Sequence, residues 1–453
     1  MNLSRQFNLN SDTIAAIATP SGNGGVGIIR ISGSAVTDIA KKISNKPLIP
    51  RRAIFTAFRD HDQTIIDTGI MLYFPAPASF TGENILELQA HGGMVVMNML
   101  LRRVLKLGAR HANPGEFSER AFINGKMDLY QAEAIADLIN STTERSARSA
   151  QKSLQGEFSR KIDLLLEDLI ELRAYVEAAI DFVEEEIDFL ADGIVEKRLQ
   201  EVLRRINEIL QTAQQGRLLR DGMNVVIAGK PNAGKSSLLN ALAGHEAAIV
   251  TEIAGTTRDI LKEHIQIDGM PIHIIDTAGI RTSENQIERE GIRRAFEEIN
   301  KADVILLLID VCAPETDEFS QVFPASSKIT KVYNKIDLLG IEPKIKITNQ
   351  ETQLYLSIKT AQGLDLLKQH LKQIAGYNDQ SENVFIARSR HLIALQKAQS
   401  NVQKALQQLR TDQAGELVAE DLKQAQKALS EITGEFTSDD LLGEIFSSFC
   451  IGK

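Results

Sequence analysis

The pattern of apolar and polar positions changes character three times along the 453-residue chain. Early on, Thr13–Ala18, Val26–Ile31 and Ile65–Phe74 are dense in apolar and β-branched residues and are broken by Gly and Pro clusters, which predicts strands. Met94–Leu107 then shows helical periodicity that stops at Gly108. Residues 1–124 therefore read as an α+β domain. From about Leu129 the texture turns helical. Phe158, Ile162, Leu165, Leu169, Leu172, Val176, Ala179, Val183 and Ile187 recur in steps of four and three, one apolar stripe along a long helix, with Glu184–Glu186 as a solvated run. A matching stripe returns at Leu395, Ala398, Val402, Ala405 and Leu409, then at Val418, Leu422, Ala425, Leu429 and Ile432. Such stripes need a partner to bury them. The economical solution is one discontinuous helical domain, residues 125–220 and 378–453, with residues 221–377 inserted between its halves.

The insert alternates strand and helix patterns. Strands are expected at Asn224–Ala228, Glu263–Ile267, Ile272–Asp276, Val304–Asp310, Lys331–Asn334 and Leu354–Ser357, and helices at Ser236–Leu242, Glu288–Ile299 and Leu364–Ile374. That order predicts a largely parallel sheet with helices on both faces, an α/β architecture. Asp268-Gly269 between two strand patterns predicts an antiparallel hairpin.

Composition excludes several classes. Hydrophobic residues are 43% and charged residues 25% of the chain, ordinary globular values. The longest apolar run, Val304–Ile309, is far short of the ~20 residues of a membrane helix, and the N-terminus lacks the apolar core of a leader. Two cysteines, Cys312 and Cys450, cannot build a disulfide framework or a zinc site. A cytoplasmic multidomain protein is the expectation. Net charge is −9, but residues 1–124 hold 13 Lys/Arg against 9 Asp/Glu, a local +4, so a polyanion-facing first domain stays open beside an ordinary mixed surface.

The chemistry concentrates in the insert. Gly229-Lys-Pro-Asn232-Ala233-Gly234-Lys235-Ser236 fits the P-loop pattern, with an apolar strand running in and a helix leaving. Its backbone N–H groups can wrap phosphate oxygens, Lys235 can reach the terminal phosphates, and the Ser236 hydroxyl can ligate Mg²⁺. Asp276-Thr277-Ala278-Gly279 closes a later strand, where a carboxylate can hold Mg²⁺ through water. In Asn334-Lys335-Ile336-Asp337 the Asp337 carboxylate can accept the two donors that guanine has and adenine lacks, and Ser357-Ile358-Lys359 can meet the guanine O6 edge. This order resembles the translation-factor-like GTPases across the insert, which makes GTP the nucleotide. Thr256 and Thr257, in Glu252-Ile253-Ala254-Gly255-Thr256-Thr257, occupy the place of the first switch loop. Ile280 stands where Ras-like enzymes carry their water-orienting glutamine, so another group must act, with Glu288 the candidate. Asn232 could help coordinate a monovalent cation beside the phosphates.

Two other signals are decoys. Gly22-Asn-Gly24-Gly-Val-Gly27 matches the dinucleotide fingerprint, but a strand pattern follows it, so no helix N-terminus is available for a pyrophosphate. A Gly-rich turn is the better reading, leaving Arg30 to serve a ligand carboxylate. Cys450 lies fourth from the end, but Gly452 and Lys453 fit a prenylation motif poorly.

The motifs extend beyond the insert. Ala-Thr-Pro-x-Gly-x-Gly-Gly-Val-Gly-Ile-x-Arg30, Phe80-Thr-Gly-Glu with Glu87-Leu-Gln-x-His91-Gly-Gly, Pro114-Gly-Glu-Phe-Ser-Glu-Arg-Ala-Phe122 and Phe449-Cys450-Ile-Gly-Lys453 together resemble the tRNA-modification GTPases of the MnmE (TrmE) family, over essentially the whole chain. The resemblance implies an N-terminal domain that binds a one-carbon tetrahydrofolate and forms a constitutive homodimer. It also implies a discontinuous helical domain and a Ras-like GTPase insert that meets its counterpart across the dimer. It implies work with an FAD-dependent partner, MnmG (GidA), to install an aminomethyl or carboxymethylaminomethyl group on C5 of the wobble uridine of certain tRNAs. Folate contacts would be Arg30, Glu87, Lys126 and Lys453. K⁺ would be held by Asn232, Thr251, Ile253 and Thr256, and Mg²⁺ by Ser236 and Thr257. GTP contacts would run through Asn232–Ser237, including Ser237, through Thr251–Thr257, Asp276–Gly279, Asn334, Lys335, Asp337 and Ser357–Lys359. Glu288, Thr256, Thr257, Asn232 and Cys450 are the catalytic candidates. The rival readings are a ribosome-assembly GTPase of the Era or Der kind, and a structural dimer whose nucleotide site only signals.

Overall fold

Alternating apolar residues set the first sheet. β1 (Thr13–Ile17), β2 (Gly24–Ser32), β3 (Ile54–Arg59), β4 (Ile65–Phe74), β5 (Ile85–Gly92) and β6 (Ala109–His111) lie in the order β3-β4-β5-β2-β1-β6. All neighbours are antiparallel except β1 and β6. Ala15, Ile29, Ile31, Leu86 and Leu88 point to one face, where helices α1 (Val36–Ser44) and α2 (Met94–Lys106) cover them with Ile39, Ile43, Met97, Leu100 and Val104. Ile14 and Ala16 point the other way, onto Phe117 of α3 (Glu116–Ile123). The period of two then puts Arg30 and Glu87 on that second face. The glycine-rich run feeds β2 with no helix behind it, and Gly27 has a packing reason: a Cβ there would lie 2.5 Å from Met97 Sδ.

The structure is a computed structural model that describes residues 12–20, 22–181, 193–243, 262–276, 300, 302–313, 323, 328–348, 351–378, 384–411, 414–434, 439–449 and 452. The chain divides into two compact units, residues 1–136 with 154–166 and 426–453, and residues 137–153 with 167–425. In the first unit Leu442, Ile445, Phe446 and Phe449 pack with Leu129, Ala132 and Phe122, so the end of the chain shares a core with the beginning.

Along the rest of the chain run α4 (Leu129–Ile139), α5 (Glu144–Leu154), α6 (Glu157–Asp181) and α7 (Ile194–Asp221). The inserted sheet follows: β7 (Met223–Gly229), α8 (Lys235–Ala243), β8 (Lys262–Ile267), β9 (Met270–Asp276), β10 (Val304–Asp310), β11 (Ile329–Asn334), β12 (Lys344–Ile347), β13 (Thr352–Tyr355) and α9 (Leu364–Ala375). The chain then closes with α10 (Ser389–Thr411), α11 (Gly415–Thr433) and α12 (Asp439–Ser447). The sheet order is β12-β13-β11-β10-β7-β9-β8, with a parallel centre and the expected β8–β9 hairpin turning at Asp268 and Gly269, both at positive φ. Two expectations need correction. β12 adds an unforeseen antiparallel edge, and the strand expected at Leu354–Ser357 starts at Thr352 and stops at Tyr355, because Ser357 turns to bridge Gln362. The helix expected at Glu288–Ile299 lies outside the described residues.

The stripe at Leu395, Ala398, Val402 and Ala405 of α10 is buried, and α10 packs on α7. The periodicity reading did not single out α7, although Leu199, Val202, Ile206, Ala213 and Leu219 line its buried side. Two contacts fix where the insert begins and ends. Gly216 of α7 lies under the returning segment, where a Cβ would come within 1.8 Å of Phe385 O. Asp137, 8% exposed, accepts Arg220 Nε and Arg388 Nη2 on Oδ1, both at 2.9 Å.

In a solvated helix, Gly→Ala stabilises by ~1 kcal/mol. In Gly216→Ala the sign reverses, because overpacking against a backbone carbonyl costs about 1–3 kcal/mol or more. The apparent thermal midpoint of Gly216→Ala is expected to fall by at least about 3 °C, read by circular dichroism. A midpoint equal to or above the parent's would show that the returning segment does not cross there.

Candidate functional site

The phosphate loop forms where a strand must turn into a helix without side chains in the way. β7 ends at Gly229 at φ 149°, Asn232 stands at φ 62° and Gly234 at φ 108°. A Cβ on Gly229 would meet Leu308 O at 2.4 Å, and one on Gly234 would meet Asn334 Nδ2 at 2.5 Å, so both glycines are required sterically. Lys235 opens α8, and its ammonium donates to the carbonyls of Gly229 (2.8 Å) and Lys230 (3.0 Å), which folds it back over the loop. Ser236 and Ser237 lie in the first turn, where unpaired backbone N–H groups favour an anion.

One buried side chain ties this loop to the turn at residues 357–359. Asn334, 3% exposed at the end of β11, donates from Nδ2 to Ala233 O (2.9 Å) and accepts from the Ile358 N–H on Oδ1 (3.1 Å). Asp337 accepts the Ser357 hydroxyl at 2.6 Å, which fixes its carboxylate against the 357–359 turn. Lys335, at φ 68°, pairs with Asp310 at 2.6 Å. Hydrogen bonds from Lys335 and the Cys312 N–H hold the Asp310 carboxyl below its usual range. Asn232, Ala233, Gly234, Lys235, Asn334, Asp337, Ser357 and Ile358 are thus brought to one end of the parallel sheet. Asp276 closes β9 beside Ile227 of β7, at that same end. The sequence assigned Asn334 by its motif; its role as the brace between the two loops emerges only in three dimensions. Thr251, Glu252, Ile253, Ala254, Gly255, Thr256, Thr257, Thr277, Ala278, Gly279, Ile280 and Glu288 lie outside the described residues.

A second polar site lies on the open face of the first sheet. Arg30 and Glu87 are register partners across β2 and β5, with Arg30 Nε and Nη2 at 3.1 and 3.0 Å from Glu87 Oε1. The guanidinium lies 5.6 Å from the Phe80 ring centre and 5.9 Å from that of Phe117, and donates to Gly452 O at 3.4 Å. Two aromatic neighbours and a carbonyl from the chain's end surround one charge pair. Lys126 donates to Pro77 O at 3.0 Å, so it borders the 77–82 loop that carries Phe80. Lys453 and Cys450 lie outside the described residues. The sequence missed Phe80 and Phe117 as neighbours of Arg30, though both sit in the motif runs Phe80-Thr-Gly-Glu and Pro114-Gly-Glu-Phe117.

Comparisons with known proteins agree along the chain's length. Residues 13–126 match the family model described as the GTP-binding protein TrmE N-terminus, and residues 129–450 match the MnmE helical domain. The chain is 57% identical over 452 residues to a tRNA modification GTPase MnmE of Histophilus somni, covering 98% of this chain and all of that one. It is 56% identical over 446 residues to the protein of that name in Hydrogenovibrio crunogenus, covering 98% and 99%. Among solved structures, the G domain of the T. maritima FeoB iron transporter is similar at 25% identity, covering 34% of this chain and 98% of that one, with a TM-score of 0.27.

Helix α3 carries Phe117 to Arg30 on an ion network. Arg120, 3% exposed, pairs with Asp12, Glu83 and Glu116, and Arg110 binds Glu116 and Asp12. Burial alone would raise the Glu116 carboxyl, but hydrogen bonds from Arg110, the Asn113 N–H and Arg120 outweigh it and hold it below its usual value. A carboxyl lowered by folding stabilises above its unfolded pKa and loses that contribution as pH falls through the folded one. The apparent thermal midpoint should therefore fall as pH drops below about 4.5, the ordinary Glu range. Glu116→Gln should lower the midpoint at pH 7 and flatten that acid slope; parallel parent and variant curves from pH 7 to 3 would refute the network's role.

Proposed function

The chain belongs to the MnmE family of tRNA modification GTPases and is a GTP hydrolase acting in tRNA modification, and on that premise we propose that it modifies C5 of the wobble uridine with a carbon from a one-carbon tetrahydrofolate. The Arg30–Glu87 pair carries this reading. A carboxylate accepts the amino and ring N–H donors of a pterin, a guanidinium suits the ligand's carboxylates, and Phe80 and Phe117 offer ring faces. Lys126 and Lys453 would serve the ligand's acidic tail. The FAD needed for the redox chemistry would reside on the partner MnmG, and a homodimer would bring two inserts together in the cytoplasm.

GTP cleavage would use Asn232, Thr251, Ile253 and Thr256 to hold K⁺, and Ser236 and Thr257 to hold Mg²⁺. A K⁺ ion held there would supply positive charge to the phosphates, the task an arginine finger performs elsewhere, worth about 10³–10⁵ in rate. Asn232, exposed in the phosphate loop, offers a side-chain carbonyl for that cage. With Ile280 unable to orient water, Glu288 would do so. Asn334 and Asp337 would select guanine, the latter from the position that Ser357 fixes.

Glu87→Ala is expected to weaken tetrahydrofolate binding more than tenfold, since losing a charge-assisted hydrogen bond costs ~1.5–3 kcal/mol. GTP turnover should stay near the parent's. Calorimetry showing unchanged folate affinity would sink the assignment. Asn232→Ala should remove the difference between hydrolysis in KCl and in NaCl at matched ionic strength while still binding GTP. A parent protein equally fast in both salts would reject the K⁺ cage.

A further inference from the structure

An acidic chain that acts on tRNA must present cations to it somewhere. Between residues 36 and 59 there are six Lys/Arg and one Asp, a local charge of +5 in a protein of net −9. Lys41, Lys42, Lys46, Arg51 and Arg52 are all exposed. Elsewhere in this domain Arg30, Arg103, Arg110 and Arg120 each hold a carboxylate. Among the described residues, none of the five cations from 41 to 52 is in an ion pair. Asp38, one turn before Lys42 on α1, is the one carboxylate in the stretch. Five exposed charges left unpaired repel one another, a small cost that an external polyanion would remove.

Their placement is ordered. Lys41 and Lys42 end α1, where cations also suit the helix dipole, and Asn45 caps the helix in the left-handed conformation to turn the chain out through Lys46. The segment then reaches Arg51, held at φ 57° by a hydrogen bond from its N–H to Tyr73 O. The Arg51 guanidinium lies 5.8 Å from the Phe74 ring centre and donates to Ala78 O. Ala78 belongs to the same loop whose Pro77 takes Lys126 and whose Phe80 flanks Arg30. The basic band therefore runs from the end of α1 to the rim of the Arg30–Glu87 site.

We propose that Lys41, Lys42, Lys46 and Arg52, with Arg51 at their inner edge, hold the phosphate backbone of the substrate tRNA beside the site where its base is modified. The location of the base rests on the folate reading of that site; the phosphate contact does not. Contacts of this type carry no sequence information, which suits an enzyme that meets several tRNAs.

The test uses the full-length protein and unmodified tRNA, with fluorescence anisotropy at about 50–300 mM NaCl. Replacing Lys41, Lys42, Lys46 and Arg52 together by Gln should cut affinity at least about tenfold near physiological salt. It should also lower the slope of log K against log salt by about 3, close to one for each phosphate no longer neutralised. GTP hydrolysis and tetrahydrofolate affinity should match the parent's, which shows the variant is folded. The three Lys→Arg changes together should keep the parent's slope. Unchanged affinity and slope in the Gln variant would overturn the proposal, as would retained tRNA binding alongside loss of binding to vesicles of anionic lipid. Glu87→Ala separates the two readings: it should retain tRNA affinity, and if it also retains folate affinity, the folate assignment fails while the phosphate surface stands.

Discussion

An inserted domain must leave and re-enter its host at nearly one point, and here a single buried carboxylate meets that demand. Asp137 takes Arg220, one residue before the end of α7, and Arg388, one residue before α10 begins. Residues 221 to 387 are thus closed into a loop by two charge-assisted bonds on one oxygen. The Ser153 hydroxyl accepting the Ile386 N–H and the passage of Phe385 across Gly216 reinforce the closure. A lone buried carboxylate would be costly, so Asp137 depends on the two arginines that meet it. Everything in the insert, including the phosphate loop that starts eight residues after Asp221, is hung from this point.

The nucleotide site repeats that economy on a smaller scale. Asn334 makes the phosphate loop and the 357–359 turn parts of one rigid body, with each polar atom of its side chain engaged. A mobile brace would lose affinity to ordering on binding; a buried, fully bonded amide has already been ordered by folding. Lys335 and Asp310 fix the neighbouring strand ends in the same way. The phosphate loop and the 357–359 turn are therefore held in one fixed arrangement before any ligand arrives.

Much of this was legible in the sequence, for physical reasons that differ by element. The phosphate loop and the Asn334–Asp337 run are local, so spacing and flanking patterns suffice to identify them. The central strands β7 and β10 are near-continuous apolar runs and announce themselves. β12 does not: Lys344-Ile-Lys-Ile347 is short, half charged and at an edge, where sheet-forming residues need bury nothing on one side. Helix α7 escaped because its apolar side is diluted by arginines and glutamates that pair along its outer surface. The contacts of Asp137, the second role of Asn334 and the ring neighbours of Arg30 join residues tens to hundreds of positions apart. No period or motif within one segment could reveal them.

The hydrogen bond from Arg30 to Gly452 joins residues 422 positions apart, within a unit drawn from both sides of the insert. β1, β2 and β5 can pair early, but the carbonyl beside Arg30 and the apolar residues Leu442, Phe446 and Phe449 are made only after the whole insert. At ordinary elongation rates that interval is about 20–80 s. During it the first domain exists with an open flank and an unfinished site. A product cut short before Leu442 would therefore hold the phosphate loop but lack the residues that complete the surroundings of Arg30.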